Sequence, residues 1–389
     1  VADDRLALTW QLSEVHGWGL VGVHTCLYLV DRGTPPLLLV KPGLSSLRPQ
    51  NQAALRGLED GFARVEAIAA RNPGKVLHLE GFTVLHALGN GFLPGPPSET
   101  YRGDRNIGVI AFEDTRFDAA ILARAGSYDR LIVHSAYNRR LLEERGFTNV
   151  GVALQGVDPS EMGPLEPQRR FGDRFVVFSG GKMEFRKAQD LVLAAFRRFH
   201  ARHPEALLVT AWHNPWPHTA ASIAESPHTP VRPEVGKDGR LRIRDWAVAN
   251  GLPAEAFLDL GFLTRPQIAG VMADCHAALF PNRCEGATNL VAMEAMACGV
   301  PVVLSANTGH MDLIRDGVCL TLDRQDPVPD RDGSRVGWGE SSVDELVERL
   351  EQLHADRAAA EARARRAIDF IRGERTWRAF AEAFVAAVS

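Results

Sequence analysis

A two-domain α/β architecture, each half a parallel sheet wrapped by helices, is predicted by three features of this 389-residue sequence. Short apolar runs alternate with stretches of helical periodicity, the pattern of α/β proteins. The alternation breaks once, over residues 159–173, a stretch rich in Pro, Gly and charge that reads as a linker. It then restarts with the same rhythm, and the length suits two domains.

In the first half, residues 6–12 read as a strand, followed by Gly17-Trp18-Gly19-Leu20-Val21-Gly22 and a helical stretch to Val30. Residues 36–40, 75–79, 107–112 and 130–134 read as further strands, and 51–71 as one helix. In the second half, 175–178, 206–211, 277–280 and 300–304 read as buried strands, with helices over 188–202 and 290–298. Residues 212–239, with five prolines, form a long polar loop. One or two helices cover 343–370, and a last one covers 376–388. Ligands are expected at the carboxyl ends of strands that face a cleft between the halves.

Composition excludes several classes. The net charge of −4 gives no broad basic field for nucleic acid. The five cysteines, Cys26, Cys275, Cys284, Cys298 and Cys319, are odd in number and never in a C-x-x-C spacing. A disulfide framework or zinc knuckle is not expected, and a reducing compartment fits. No apolar run reaches the ~18 residues of a membrane span, and Val1-Ala2-Asp3-Asp4 has no secretory pattern.

Three segments carry candidate chemistry. Gly17-x-Gly19-x-x-Gly22 satisfies the dinucleotide fingerprint in form. The second strand, however, ends Leu38-Leu39-Val40-Lys41, without the carboxylate that would hold a ribose. Close strand–helix packing, or a loop approaching a ligand through Gly17, Trp18 and Gly19, are the readings that remain.

The second segment is Ser179-Gly180-Gly181-Lys182-Met183-Glu184-Phe185-Arg186-Lys187. Only five of the 44 basic residues are lysines, and two of them fall here. Lys187 stands near a helix N-terminus, where a cation opposes the helix dipole unless an anion binds between them. Glycine backbone, two ammonium groups and a helix start suit a phosphate or diphosphate.

The third segment runs from Asn282 to Pro301. Thr288 or Asn289 caps a helix that Gly299 ends. Between the caps Glu294 is the one polar residue, and an apolar helix is a buried one. A buried carboxylate needs partners. No basic residue lies on that helix, and the two hydroxyls of a ribose would satisfy Glu294; a backbone amide is the structural alternative. Glu285, on the preceding loop, is placed to accept from sugar hydroxyls, and the free amides of residues 286–290 face the same ligand.

The stretch from Glu285 through Glu294-Ala-Met-Ala-Cys-Gly-Val-Pro-Val-Val resembles the signature of family 4 glycosyltransferases, which have the GT-B fold of two Rossmann-like domains facing a central cleft. Lys182 and Lys187 resemble the family's basic pair. Gln155-Gly156-Val157-Asp158 is similar to its N-G-V-D element, and Leu260-Gly261-Phe262-Leu263-Thr264 to its L-G-F strand and loop. The resemblance implies domains over 1–165 (acceptor side) and 174–372 (nucleotide sugar), with a helix over 373–389 crossing back to the first.

It also implies transfer of a sugar from a UDP- or GDP-type nucleotide sugar to an acceptor hydroxyl, with retention and without metal or other cofactor. Lys182 and Lys187 would hold the diphosphate, Glu294 the ribose and Glu285 the transferred sugar. Gly181, Gly286, Ala287, Thr288, Asn289, Leu290 and Phe262 would complete the donor site. The acceptor is open among saccharides, lipid-linked molecules and small molecules. The implied location is the cytoplasm, peripheral contact with the inner membrane face included.

Three departures from the family pattern stand out. Lys182 replaces the common Arg, a point charge in place of a fork. Glu285 and Glu294 are nine residues apart where eight is usual. Glu113 or Asp114 stands where a sugar-contacting histidine is common. Asp330-Arg331-Asp332 has the D-x-D form of a metal motif but reads as a solvated turn. His213 and His218, around Trp212 and Trp216, make no metal spacing, though His213 follows a strand that leads to the cleft. Two other readings are a nucleotide-sugar-binding protein that has lost transfer, and a nicotinamide-dependent oxidoreductase using residues 17–22.

Overall fold

Val176–Gly180 carries the sequence VVFSG with its first four residues buried, a run without polar alternation, as a parallel strand covered on both faces requires. In the computed structural model, which describes residues 5–389, strands of this kind build two sheets in two units. Val1-Ala2-Asp3-Asp4, read above for a secretory pattern, lies outside the described residues.

The first unit takes the chain up to Gly156, with Asp330–Val336 and Trp377–Ser389. Its elements are β1 (Arg5–Leu8), α1 (Gly17–Asp31), β2 (Leu37–Leu38), α2 (Pro49–Leu55), α3 (Leu58–Ala70), β3 (Leu77–Gly89), β4 (Leu93–Pro94), α4 (Pro96–Thr100), β5 (Tyr101–Ile110), α5 (Ala119–Ala125), β6 (Arg130–Val133), α6 (Ala136–Glu143) and β7 (Val150–Val152). The sheet order is β2-β1-β3-β5-β6-β7, all parallel, with β4 antiparallel to β3.

The second unit holds β8 (Val176–Gly180), α7 (Gln189–His200), β9 (Leu207–Ala211), α8 (Ile243–Ala249), β10 (Phe257–Asp259), α9 (Arg265–Met272), β11 (Ala277–Phe280), α10 (Leu290–Ala297), β12 (Val302–Ser305), β13 (Leu320–Leu322), β14 (Gln325–Pro327), β15 (Gly339–Ser341), α11 (Val343–Ala355) and α12 (Arg357–Glu374). Its six strands run parallel in the order β10-β9-β8-β11-β12-β13. That is the doubly wound order 3-2-1-4-5-6, whose switch point lies between β8 and β11. One buried cluster, including Phe196, Phe199, Trp246 and Leu350, covers one face of this sheet. Another, including Met293, Met296, Phe370 and Ile371, covers the other.

The last helix, α13 (Trp377–Val388), belongs to the first unit. Trp377 stacks on His24 with ring centroids 4.5 Å apart. Arg105 and Arg130 donate to the carbonyls of Val388 and Ala387 at 2.9 and 2.5 Å.

Several elements differ from the sequence reading. Residues 17–22 are not a turn before a helix but the first turns of α1, capped by His16 Nδ1, which accepts from the Gly19 amide at 3.1 Å. A Cβ on Gly19 would lie 2.4 Å from Ser13, and one on Gly22 would lie 2.8 Å from Trp10 and Leu12. Both glycines therefore serve close packing. The helix expected over 51–71 breaks into α2 and α3 around Arg56 and Gly57. The strand at 75–79 runs on to Gly89, because its pairing with β5 continues past an irregularity between Leu79 and Thr83. The polar loop at 212–239 contains a 3₁₀ segment, Pro217–Glu225, and the fully buried Trp212.

Candidate active site

β8 and β11 diverge at the switch point, and the segments leaving their carboxyl ends carry the residues singled out as donor-binding except Phe262, which follows β10. After β8 the chain passes Gly181 and Lys182, makes a 3₁₀ turn over Phe185–Lys187, and enters α7 through Ala188, a left-handed residue with φ 59°. Gln189 ties this loop, donating from Nε2 to the Lys182 carbonyl at 2.7 Å. After β11 come Asn282, Arg283, Glu285 and the cap of α10. Asn289 there has φ 64° and accepts the Ala292 amide.

The two loops meet in an ion cluster. Lys187 Nζ lies 2.5 Å from Glu285 Oε1, and Arg186 Nη1 lies 3.4 Å from Oε2. Arg186 also pairs with Glu184 at 2.9 Å, and Lys182 pairs with Glu184 at 3.0 Å. The sequence reading places a phosphate or diphosphate beside Lys187; the anion that stands there within the chain is the Glu285 carboxylate. Burial alone would raise the Glu285 carboxyl, but Lys187 and Arg186 outweigh it and hold it at about 2. Burial lowers the Lys187 ammonium from its ordinary range, with Glu285 pulling the other way.

Glu285 is fixed by its own backbone as well. Its amide donates to Thr308 Oγ1 at 2.9 Å, and its carbonyl accepts from the Gly309 amide at 3.0 Å. A Cβ at residue 309 would lie 1.8 Å from the Ala287 carbonyl oxygen, so only glycine fits. Asn282 Nδ2 donates to the same Glu285 carboxylate. Behind the loop, Ser305 donates to the Asn282 carbonyl at 2.6 Å and therefore accepts from His310 Nδ1 at 2.9 Å. That leaves His310 Nε2 to accept from Asn289 at 2.9 Å. Burial lowers the His310 pKa to about 4, so this relay is neutral at neutral pH.

Three arginines that sequence reasoning did not single out organise the site. Arg186 bridges both glutamates of the cluster. Arg283 is fully buried and forms a bidentate pair with Asp190 of α7 at 2.8 and 2.6 Å, while also binding Glu340. It thereby locks the loop after β11 to the start of α7. Arg265, at the start of α9, lies 3.2 Å from Glu294 and supplies the partner that α10 itself lacks. Burial pushes the Glu294 carboxyl up, with Arg265 pulling it down.

The remaining donor candidates are more loosely connected. Phe262 is half exposed, with its ring 5.3 Å edge-on to His213. The buried Thr288 hydroxyl has no hydrogen-bond partner among the described residues. Lys182 also lies 5.1 Å above the exposed Trp216 ring.

The acceptor candidates Gly17, Trp18, Gly19, Glu113 and Asp114 lie in the first unit. Trp18 packs edge-on to Trp10 and His134. The Glu113 amide donates to Asn90, and Asp114 is paired with Arg116. Asp330 and Asp332 cap their own turn by accepting from Ser334, and Asp332 also pairs with Arg116. No described helix is long and apolar enough to cross a membrane.

Residues 165–369 match the family described as glycosyl transferases group 1. A D-inositol 3-phosphate glycosyltransferase of Stackebrandtia nassauensis is 30% identical over 174 residues, 43% of this chain and 36% of its own. A GDP-mannose-dependent alpha-(1-6)-phosphatidylinositol monomannoside mannosyltransferase of Mycolicibacterium smegmatis is 26% identical over 212 residues, 53% of this chain and 49% of its own. The chain thus matches between a third and a half of the length of these curated relatives.

Among solved structures, Anabaena HepE in complex with UDP and glucose superposes with a TM-score of 0.66 at 14% identity, covering 99% of each chain. Sucrose-phosphate synthase from Thermosynechococcus elongatus does so at 0.66 and 16%, covering 98% of each. At such identities the likeness shows the fold, which is GT-B, with two Rossmann-like α/β domains in one chain. The family match covers more than half of the sequence, and the chain belongs to the glycosyl transferases group 1.

Proposed function

We propose that the chain transfers a sugar from a nucleoside-diphosphate sugar to an acceptor hydroxyl, as a retaining, family 4-type enzyme that works without metal. The observation that carries this reading is the cluster at the switch point. Three cations, Lys182, Arg186 and Lys187, face two carboxylates, Glu184 and Glu285, which leaves one positive charge for an incoming diphosphate. Lys182 and Lys187 hold the diphosphate and stabilise it as it departs. Glu294 accepts from the ribose, exchanging part of its pairing with Arg265. Glu285 accepts from the transferred sugar, and the unmet Thr288 hydroxyl meets a polar donor group. A UDP- or GDP-type donor is supported by HepE, solved with UDP, and by the GDP-mannose-dependent relative. A reducing compartment, the cytoplasm, suits the five free thiols.

The test pairs a melting screen with a turnover assay. Saturating UDP or GDP is expected to raise the melting temperature more than the nucleosides do. UDP- and GDP-sugars, with a panel of saccharide, lipid-linked and small alcohol acceptors, are expected to release the free diphosphate. Stabilisation without release from any donor would mark a binding protein that does not transfer. The absence of both would overturn the reading.

A further inference from the structure

We propose that His203, Glu205 and His354 form a binding site for one divalent transition-metal ion of the zinc class, at the opposite end of α7 from the ion cluster. α7 ends at His200, and the turn that follows carries His203 and Glu205 into the amino end of β9. α11 brings Glu351 and His354 beside them, three apart and on one helix face. Twelve residues of α7, about 18 Å at the α-helical rise, separate this turn from the Lys187 end.

The ligand atoms converge. His354 Nε2 lies 3.2 Å from Glu205 Oε1, and His203 Nδ1 lies 3.8 Å from the same oxygen. One ligand atom from each of the three residues lies within 4.8 Å of the others. In a tetrahedral zinc site with bonds of about 2.0–2.2 Å, ligand atoms stand roughly 3.3–3.5 Å apart. Two edges already approach that value, and small rotations would close the third.

The protonation pattern points the same way. His203 Nε2 lies 2.8 Å from Glu351 Oε2, the carboxylate–imidazole contact that fixes the proton on Nε2. With the proton on Nε2, Nδ1 offers its lone pair on the side of Glu205, 3.8 Å away, where a cation would be shared by both. Arg202 takes the other Glu351 oxygen at 2.9 Å, leaving Oε2 for His203. Two carboxylates against one arginine leave a net negative charge that suits a dication.

The rings are held in place before any metal arrives. The two imidazoles lie 4.1 Å apart, with Phe199 4.4 Å from His203 and Phe175 4.9 Å from His354. Glu205 is half exposed, which leaves an entry path. Two imidazoles and a carboxylate select zinc, cobalt, nickel or copper over magnesium or calcium, which prefer all-oxygen ligands.

The test titrates the chelator-treated full chain with Co²⁺ and Zn²⁺, following d–d absorption and competition with a chromophoric chelator. One equivalent is expected, without the near-ultraviolet thiolate band that ligation by a cysteine would give. His203→Gln and His354→Gln should each weaken binding tenfold or more. Glu351→Gln should weaken it roughly ten- to hundredfold at unchanged stoichiometry. Zn²⁺ should raise the wild-type melting temperature, reversibly with EDTA, and leave that of His354→Gln unmoved. If either histidine variant melts low in EDTA, Glu205→Gln, at a half-exposed carboxylate, replaces it with the same expected loss. Wild type that binds no Zn²⁺ even at millimolar excess, equal binding by all variants, or a thiolate band would each overturn the proposal. Nucleoside-diphosphate binding by His354→Gln is expected to equal wild type, so this site and the donor site stand or fall separately.

Discussion

Glu285 concentrates charge, burial and backbone contacts in one side chain, and its acid titration is therefore measurable in stability. Its carboxyl ordinarily ionises near 4.5 and is held at about 2 in the folded chain. A carboxyl depressed by folding contributes stability that is fully present above the unfolded value and is lost as pH falls through the folded one. The contribution is lost as the pH falls from about 4.5 towards about 2. Denaturant midpoints across that window should fall less steeply in Glu285→Gln than in wild type; parallel curves would refute the coupling. The two glutamates are also expected to separate in binding. Glu294→Gln should weaken bare nucleoside diphosphate by roughly 1.5–3 kcal/mol, the range for a hydrogen bond to a charged group. Glu285→Gln, which removes a negative charge from the cluster, should not weaken that affinity and should lower turnover. Calorimetry alongside single-turnover rates decides between them, and equal losses of bare-nucleotide affinity would mean the roles are not divided this way. Lys182, Lys187, Glu285 and Glu294 were visible in the sequence because each is rare in its setting. Arg186, Arg265 and Arg283 were not, because one arginine among 39 carries no contrast. Their partners are also set by folding: Asp190 stands 93 residues from Arg283.

The strands and helices that carry these side chains differ in how far their sequences announced them. β8, β11 and β12 were legible because strands buried on both faces read as unbroken apolar runs. β3 was legible only at its start. Its first half alternates between half-buried and exposed residues, and its full length depends on pairing with β5. The break between α2 and α3 was hidden because the apolar periodicity runs through Gly57. The loops after β8 and β11 depend on contacts that no periodicity reveals, above all Gly309 beneath Ala287. Gly309→Ala is expected to shift that backbone, at a cost of about 1–3 kcal/mol or more for overpacking, and to weaken diphosphate binding. Phe196→Ala, on the core-facing side of α7, is expected to cost about 3–5 kcal/mol while diphosphate affinity of the folded protein stays unchanged. Urea melts and calorimetry on the pair separate a site defect from a core defect. If Gly309→Ala bound as wild type does, the cradle around Glu285 would not matter to the ligand.

Across the chain, a net charge of −4 sets the background against which an anionic donor must bind. The overall field does not attract a nucleoside diphosphate, so in the proposed donor site attraction falls to Lys182, Arg186 and Lys187. Buried charges are screened less than exposed ones, so affinity should fall only modestly with salt. At a hundredfold excess over Kd the ligand should stabilise its unit by about 2.7 kcal/mol. Lys187→Ala and Lys182→Ala should each remove roughly 1.5–3 kcal/mol of diphosphate affinity. If these cations hold the phosphates as proposed, catalysis needs no bridging metal. The D-x-D carboxylates are engaged elsewhere, Asp330 with the Ser334 amide and Asp332 with Arg116. Turnover is therefore expected to survive EDTA. The proposed zinc site sharpens this experiment, because EDTA should lower the melting temperature of wild type without lowering its rate. His354→Gln, which lacks that site, should show neither change. Turnover that is abolished by EDTA in both proteins, and restored by Mg²⁺ or Mn²⁺, would show that a metal works at the diphosphate and that the lysines do not suffice there.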